Sequence, residues 1–328
     1  LRTFRVALAG NPNSGKSTLF NCITGSSAAE GNYPGVTVGT ATACITAGDA
    51  RIELTDLPGM YSLSPSGPDE EVAVRSLIRG TYDAVVQVAD STNLERHLLL
   101  TLQLIQTGSR LVLALNMSDE ARRLGAAVDP GRLGESLGIR VVETVGRTCR
   151  GTDDLVSAVL ATCTSDRPPR RIGFGAETDE VIWKVASMLP GRLPVEAAFL
   201  ATALIEGNGA ALDLVADLSG RGAAQSVAAA AAEAAGRIAA LSGGEPGTVF
   251  TKLRSGIVAG LLREIDPGRS TGPQSNRGIT ARIDGVVLHR IWGIPVFALV
   301  MFAMFWLTFK ASAPASALIA ELFGLAGR

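Results

Sequence analysis

The sequence predicts an α/β fold: a six-stranded, mostly parallel sheet wrapped by helices, then a small all-α domain and an apolar C-terminal helix. Three observations carry this. Short β-rich runs alternate with helix-periodic stretches from residue 3 to about residue 163, the pattern of a mostly parallel sheet. Alanine, leucine and glycine then replace the β-branched runs. Finally, residues 291–309 carry no charge over 19 positions, close to the ~20 that cross a bilayer as a helix. At 328 residues the chain is longer than the roughly 250–300 at which single cores stop growing, so more than one domain is expected.

The six strands are "FRVALA" (4–9), "TATACITA" (40–47), "RIELT" (51–55), "YDAVVQVA" (82–89), "RLVLALN" (110–116) and "IRVVET" (139–144). Helices lie between most of them; Leu94 to Gln106 is the clearest, with Leu94, Leu98 and Leu102 on one face. "SDRPPRR" (165–171) is proline-rich and charged, a linker that closes the first domain. Beyond it, "AAQSVAAAAAEAAGRIAAL" (223–241) is an alanine-dominated helix by propensity, with a disordered alanine tract as the alternative. "GRSTGPQSN" (268–276) reads as a second joint. In the run 291–309, Trp292 and Trp306 stand near the ends as interfacial aromatics and Arg282, Arg290 and Lys310 flank it; the alternative is a buried helix of a soluble domain. The expected boundaries are 1–165, 166–270, a linker and amphipathic segment 271–290, the span 291–309, and 310–328 as the start of a further membrane part.

Composition narrows the partners. A net charge of -1 and a pI of about 6.2 argue against nucleic acid, which calls for a basic surface. Cys22, Cys44, Cys149 and Cys163 are scattered without a C-x-x-C pair, which fits small core residues in a reducing compartment better than a disulfide framework or a zinc site. His97 and His289 are far apart and are expected at the surface or an interface, not as metal ligands. The opening "LRTFRVALAG" is a short strand and not a secretory signal.

Four motifs carry chemistry. "GNPNSGKS" (10–17) matches G-x-x-x-x-G-K-[ST], following a strand and opening a helix, the context of a phosphate loop. Gly10, Asn11, Ser14, Gly15 and Thr18 belong to its curl around phosphate; Lys16 would reach the β and γ phosphates and Ser17 would bind Mg²⁺. Asp56 and Gly59 in "DLPG" supply a carboxylate toward Mg²⁺ and an amide toward the γ-phosphate, and Thr37 in "GNYPGVTV" is a second hydroxyl candidate for the metal. In "LVLALNMSD", Asn116 and Asp119 form N-x-x-D, with Met117 between them. A carboxylate there accepts both the N1 and N2 hydrogens of guanine, a donor pair that adenine lacks, so GTP is chosen over ATP. Met60 follows Gly59 where Ras-type enzymes carry a glutamine that orients water, so hydrolysis needs other means.

These elements form a P-loop GTPase set, and their wording is specific. "GNPNSGKSTLFN", "GNYPGVTV", "DLPGMYSLSP", "VADSTNLERHLLLTLQL", "NMSD" and "ITARIDGVVLHRIWGIPVF" closely resemble the FeoB family, ferrous iron transport protein B. The resemblance covers residues 1 to about 163 and 278–309, and the helical segment between them by position and length. It implies a cytoplasmic G domain, a helical domain resembling a nucleotide-dissociation inhibitor, and a polytopic part that moves Fe²⁺ in the cell inner membrane. Guanine nucleotide, the rest of the transport domain, the bilayer and small accessory iron-transport proteins are the partners it implies. With one candidate span before Arg328, a truncated product unable to form an iron pathway by itself is expected.

The resemblance also implies K⁺, held by Asn13 and the main-chain carbonyls of Gly31 and Tyr33, replacing an arginine finger; Asn13 bracing the loop through a hydrogen bond is the alternative. Water would then be placed by backbone near Thr37 and Gly59, with Lys16 and Asn13 completing the catalytic set. In the fifth nucleotide loop, "TVGRTCRGTDDL", Gly146 and Arg147 stand where the family usually shows a Ser-Ala or Ser-Thr pair whose backbone contacts the guanine, which leaves the base more loosely held. Two other readings stay open: a soluble GTPase of ribosome or tRNA maturation, and a nucleotide switch with negligible catalysis.

Overall fold

The computed structural model describes residues 2–25, 29–32, 39–65, 67–165, 170–266, 287 and 293–311. Its strands are β1 (Arg2–Gly10), β2 (Ala29–Asn32), β3 (Gly39–Ala47), β4 (Ala50–Asp56), β5 (Ala84–Asp90), β6 (Leu111–Asn116) and β7 (Arg140–Glu143). They form one sheet in the order β2-β3-β4-β1-β5-β6-β7. From β4 to β7 every pair is parallel, while β3 runs antiparallel to β4 and β2 antiparallel to β3. All six expected strands are present. The seventh, β2, was not expected, because "AEGN" has neither β-branched residues nor alternation; pairing with the edge of β3 makes it a strand.

The inner strands β5 and β6 are buried at nearly every position, as a sheet covered on both faces requires. Alternate residues feed two cores. Phe4, Val6, Leu8, Val86, Val88, Val112 and Ala114 face α1 (Lys16–Thr24) and α6 (Thr152–Cys163). Ala7, Ala9, Val85, Ala89, Leu113 and Leu115 face the other side, with α2 (Pro68–Ile78) and α3 (Leu94–Gln106). Between these, α4 (Ser118–Arg123) follows β6 and α5 (Pro130–Leu137) precedes β7.

The second core continues without interruption into the helices α7 (Ala176–Ala186), α8 (Ala197–Ile205), α9 (Gly209–Ser219), α10 (Arg221–Ser242) and α11 (Pro246–Ile265). The alanine tract is one helix of 22 residues, not disordered, and buries Ala224, Val227, Ala231, Ala234 and Ile238 along a single stripe. Helix α3 is buried beyond its expected face, because α8 and α11 pack on its outer side.

Contacts divide the chain into two compact units, Leu1–Thr271 and Gly272–Arg328. The second contains α12 (Gly293–Trp306), closed by a π-helical turn, Leu307–Ala311. The 18 residues from Gly293 to Lys310 have a mean hydropathy of 1.8 and are long and apolar enough to cross a membrane; none is buried. The joint at 268–276 lies outside the described residues.

Two expectations are corrected. Cys22 and Cys149 are joined by a disulfide, and Cys44 is exposed, so only Cys163 is the buried small residue expected. The pair is 127 residues apart in sequence, a proximity that spacing could not reveal. His97 is buried, 5% exposed, with Nδ1 accepting from the Asp90 N–H. Burial pushes its imidazole down to about 4, with the nearby Asp90 charge opposing and Arg96 assisting.

Candidate functional site

The parallel strands bring their C-terminal ends to one edge of the sheet, the edge at which open α/β folds bind ligands. Register places Leu8 beside Asp56 and Asp90 beside Asn116. The loop leaving β1 returns at Gly15, whose φ of +83° starts α1. A β-carbon on Gly15 would collide with Asn116 Nδ2, so both the conformation and the close approach demand glycine. No side chain caps α1, which leaves its first N–H groups facing the loop.

Within this loop Asn11 and Ser14 are each 1% exposed. Both polar atoms of the Asn11 side chain and the Ser14 Oγ have no partner among the described residues. Buried polar groups are rarely left so, and here they mark a cradle for a polar ligand. Asn13 takes φ +64°, a left-handed conformation, and its side chain is exposed. Among the described residues its amide makes no hydrogen bond, which does not favour the bracing role.

Lys16 Nζ pairs with Asp56 Oδ1, and Ser17 Oγ donates to Asp56 Oδ2 at 3.1 Å. Lysine, hydroxyl and carboxylate are thus gathered at one point, where the hydroxyl and carboxylate supply hard oxygens of the kind that fit a small divalent cation. The "DLPG" segment is fastened to the loop: Leu57 N–H donates to the Leu8 carbonyl and Met60 N–H to the Gly10 carbonyl, each at 3.0 Å. A β-carbon on Gly59 would stand 3.1 Å from Pro12 Cγ and 3.2 Å from its nitrogen, so glycine lets the two segments touch. Pro12 is a packing partner that the motif alone did not single out. The Met60 side chain is fully buried.

At the other end of the loop, Asn116 is a buried hub. Its Nδ2 donates to the Ser14 carbonyl at 2.8 Å, and its Oδ1 accepts from the Gly146 N–H at 2.9 Å. It therefore ties the phosphate loop to the turn Gly146–Thr148. Met117 caps α4 with φ +58°, and Asp119 lies in the first turn of that helix, its Oδ2 accepting from Arg147 Nη2 at 3.1 Å. Thr18 is exposed on the first turn of α1. Gly31 lies in β2 opposite Thr40. Tyr33 and Thr37 lie outside the described residues. Missed by sequence reasoning was the Cys22–Cys149 link, which joins α1 to this turn; two cysteines 127 residues apart gave no signal.

Comparison with known proteins finds relatives of this chain. The family profile described as ferrous iron transport protein B covers residues 4–159. A Porphyromonas gingivalis Fe(2+) transport protein A/Fe(2+) transporter FeoB fusion protein is 36% identical over 320 residues, covering 93% of this chain and 37% of that protein. The Escherichia coli K12 Fe(2+) transporter FeoB is 30% identical over 312 residues, covering 94% of this chain and 39% of that transporter. The chain thus spans well under half the length of these curated relatives. Among solved structures, an S. thermophilus NFeoB mutant bound to GDP has 32% identity and a TM-score of 0.71, covering 79% of this chain and 99% of its own. The cytosolic domain of T. maritima FeoB in GMPPNP form has 28% identity and a TM-score of 0.66, covering 80% and 98%.

Proposed function

Because the chain belongs to the FeoB family, ferrous iron transport protein B, we propose that it binds and hydrolyses GTP as the regulatory part of a ferrous iron transporter. One observation carries this reading: Lys16, Ser17 and Asp56 meet on the loop that holds the buried side chains of Asn11 and Ser14, which have no partner among the described residues. That is a phosphate cradle with a cation-binding rim.

With a triphosphate on the loop, Lys16 moves from Asp56 to the β and γ phosphates. The free amides of α1 and the glycines Gly10 and Gly15 let backbone N–H groups reach the phosphate oxygens. Ser17 and Asp56, with Thr37, hold Mg²⁺; when bound, that ion offsets charge on the phosphates. Asp119 leaves the exposed Arg147 and accepts from guanine N1 and N2, between Met117 and the Gly146 turn. Asn13 and the carbonyls of Gly31 and Tyr33 hold K⁺, consistent with an Asn13 amide that is exposed and unpartnered among the described residues. Because Met60 is committed to the core, backbone near Thr37 and Gly59 positions the attacking water.

Residues 1–165 form the G domain in this reading, 166–270 the helical domain, and 291–309 an anchor in the cell inner membrane with both domains cytoplasmic. The rest of the transport domain and small accessory iron-transport proteins are its partners, and nucleotide state is coupled to Fe²⁺ uptake there. A turnover assay tests the site. GTP hydrolysis should be faster in KCl than in NaCl at equal ionic strength, Asn13→Ala should lose that difference, and Asp119→Asn should turn over xanthosine triphosphate instead of GTP. Equal parent rates in the two salts would remove the potassium proposal, and unchanged GTP use by Asp119→Asn would remove the base assignment.

A further inference from the structure

We propose that Cys22 and Cys149 form a reversible dithiol/disulfide site through which a low-molecular-weight disulfide slows release of guanine nucleotide. The inference rests on the nucleotide reading above. Cys22 lies on α1, the helix whose first turn carries Lys16 and Ser17. Cys149 ends the turn Gly146–Thr148. Their sulfurs are bonded and their Cα atoms are 5.4 Å apart, a separation disulfides commonly use.

The position of this bond gives it a function. Gly146 is held on one side by Asn116, which accepts from its N–H at 2.9 Å. On the other side its carbonyl lies 3.1 Å from Cys22 Sγ. With the bond made, the turn and α1 move as one body, and the turn closing the base pocket cannot swing away from the phosphate loop. With the bond broken, the exposed residues 147–150 are released from α1, and exposed backbone of this kind opens locally at smaller cost in free energy. Cys149 is exposed and Cys22 half-buried, so a small thiol or disulfide has access. The remaining thiols do not compete. Cys163 is buried, which pushes its thiol up to about 11, and Cys44 on β3 follows Ala43, which packs in the core under α1, so Cys44 stands on the opposite face of the sheet.

The chemistry balances with a small disulfide RSSR as oxidant. The Cys149 thiolate attacks one sulfur of RSSR, forming a mixed disulfide and expelling RS⁻. The Cys22 thiolate then attacks the Cys149 sulfur, forming the internal bond and expelling the second RS⁻. The two cysteine protons end on the two RSH molecules, and the two electrons lost by the cysteines reduce RSSR.

The test uses the whole chain in detergent, loaded with fluorescent GDP and chased with unlabelled GDP in oxidised or reduced glutathione. Release should be about tenfold slower when oxidised, and alkylation in denaturant should find two thiols fewer than the four in the reduced chain. Cys22→Ser and Cys149→Gly should each release GDP at one rate in both buffers. Cys149→Gly suits its position, since φ there is +55°, where glycine is at ease. Four alkylatable thiols after oxidation, or equal release from both forms of the parent, would overturn the proposal while leaving GTP binding intact. A chain that binds no GDP in either buffer would overturn both this proposal and the nucleotide reading.

Discussion

Met60 shares a core cluster with Leu57, Leu63 and Ala9, so the position after Gly59 serves packing, not water. Motif spacing picks out Lys16, Ser17, Asp56 and Asn116 because it is local, and the structure brings the first three together and ties Asn116 to the same loop. Spacing misjudged His97, which is buried beside β5, its carbonyl accepting from Gln87 Nε2 and its Nδ1 from the Asp90 N–H. His97 also makes a prediction. The unfolded imidazole titrates near its ordinary 6.5 and the folded one near 4, so between these values the unfolded chain holds more proton. Stability from the neutral ring is complete above about 6.5 and is lost as the pH falls through about 4, a loss on the order of 3 kcal/mol. Urea unfolding at pH 7 and pH 4.5 measures it: His97→Gln should lose less stability in acid than the parent. An equal acid loss in both would rule out this origin.

At the scale of elements, the segment after "DLPG" is fastened to the helical bundle. Leu63 N–H donates to Gln103 Oε1 at 2.7 Å, and Asn208 Nδ2 donates to the Leu63 carbonyl at 2.7 Å. Ser64 Oγ donates to Glu206 Oε2 at 3.3 Å, and Glu206 is paired at 2.7 Å with Arg254. Both charged side chains are nearly buried, 6% and 4% exposed, and the Arg254 guanidinium also lies over the Phe174 and Phe250 rings. Glu206→Ala strands a buried cation and should cost about 3–5 kcal/mol, whereas Glu206→Gln keeps an acceptor and should cost less. Chemical denaturation of both variants checks this; equal costs would mean that the charge pair is not what matters. None of these contacts was legible in the sequence, since each joins residues that no local pattern relates. The strands and α3 were legible because periodicity is local, and β2 was not, because only its pairing makes it a strand.

At the scale of the molecule, the second core crosses from the sheet into the helices that follow, with Leu57 and Ile265 in one cluster. A composition shift near residue 170 marked where the helices begin, but composition carries no record of which faces they share. The apolar run near the C-terminus is legible directly, because a candidate span needs only length and the absence of charge. The function proposed above, a GTPase held at a membrane, needs both that run and the nucleotide site. Membrane fractionation with a GTPase assay, on the chain with and without residues 277–328, tests it most directly. GTPase activity should sediment with membranes for the whole chain and stay in the supernatant for the shortened one. Supernatant activity from both would contradict the anchor, and no GTP hydrolysis by either would contradict the enzyme.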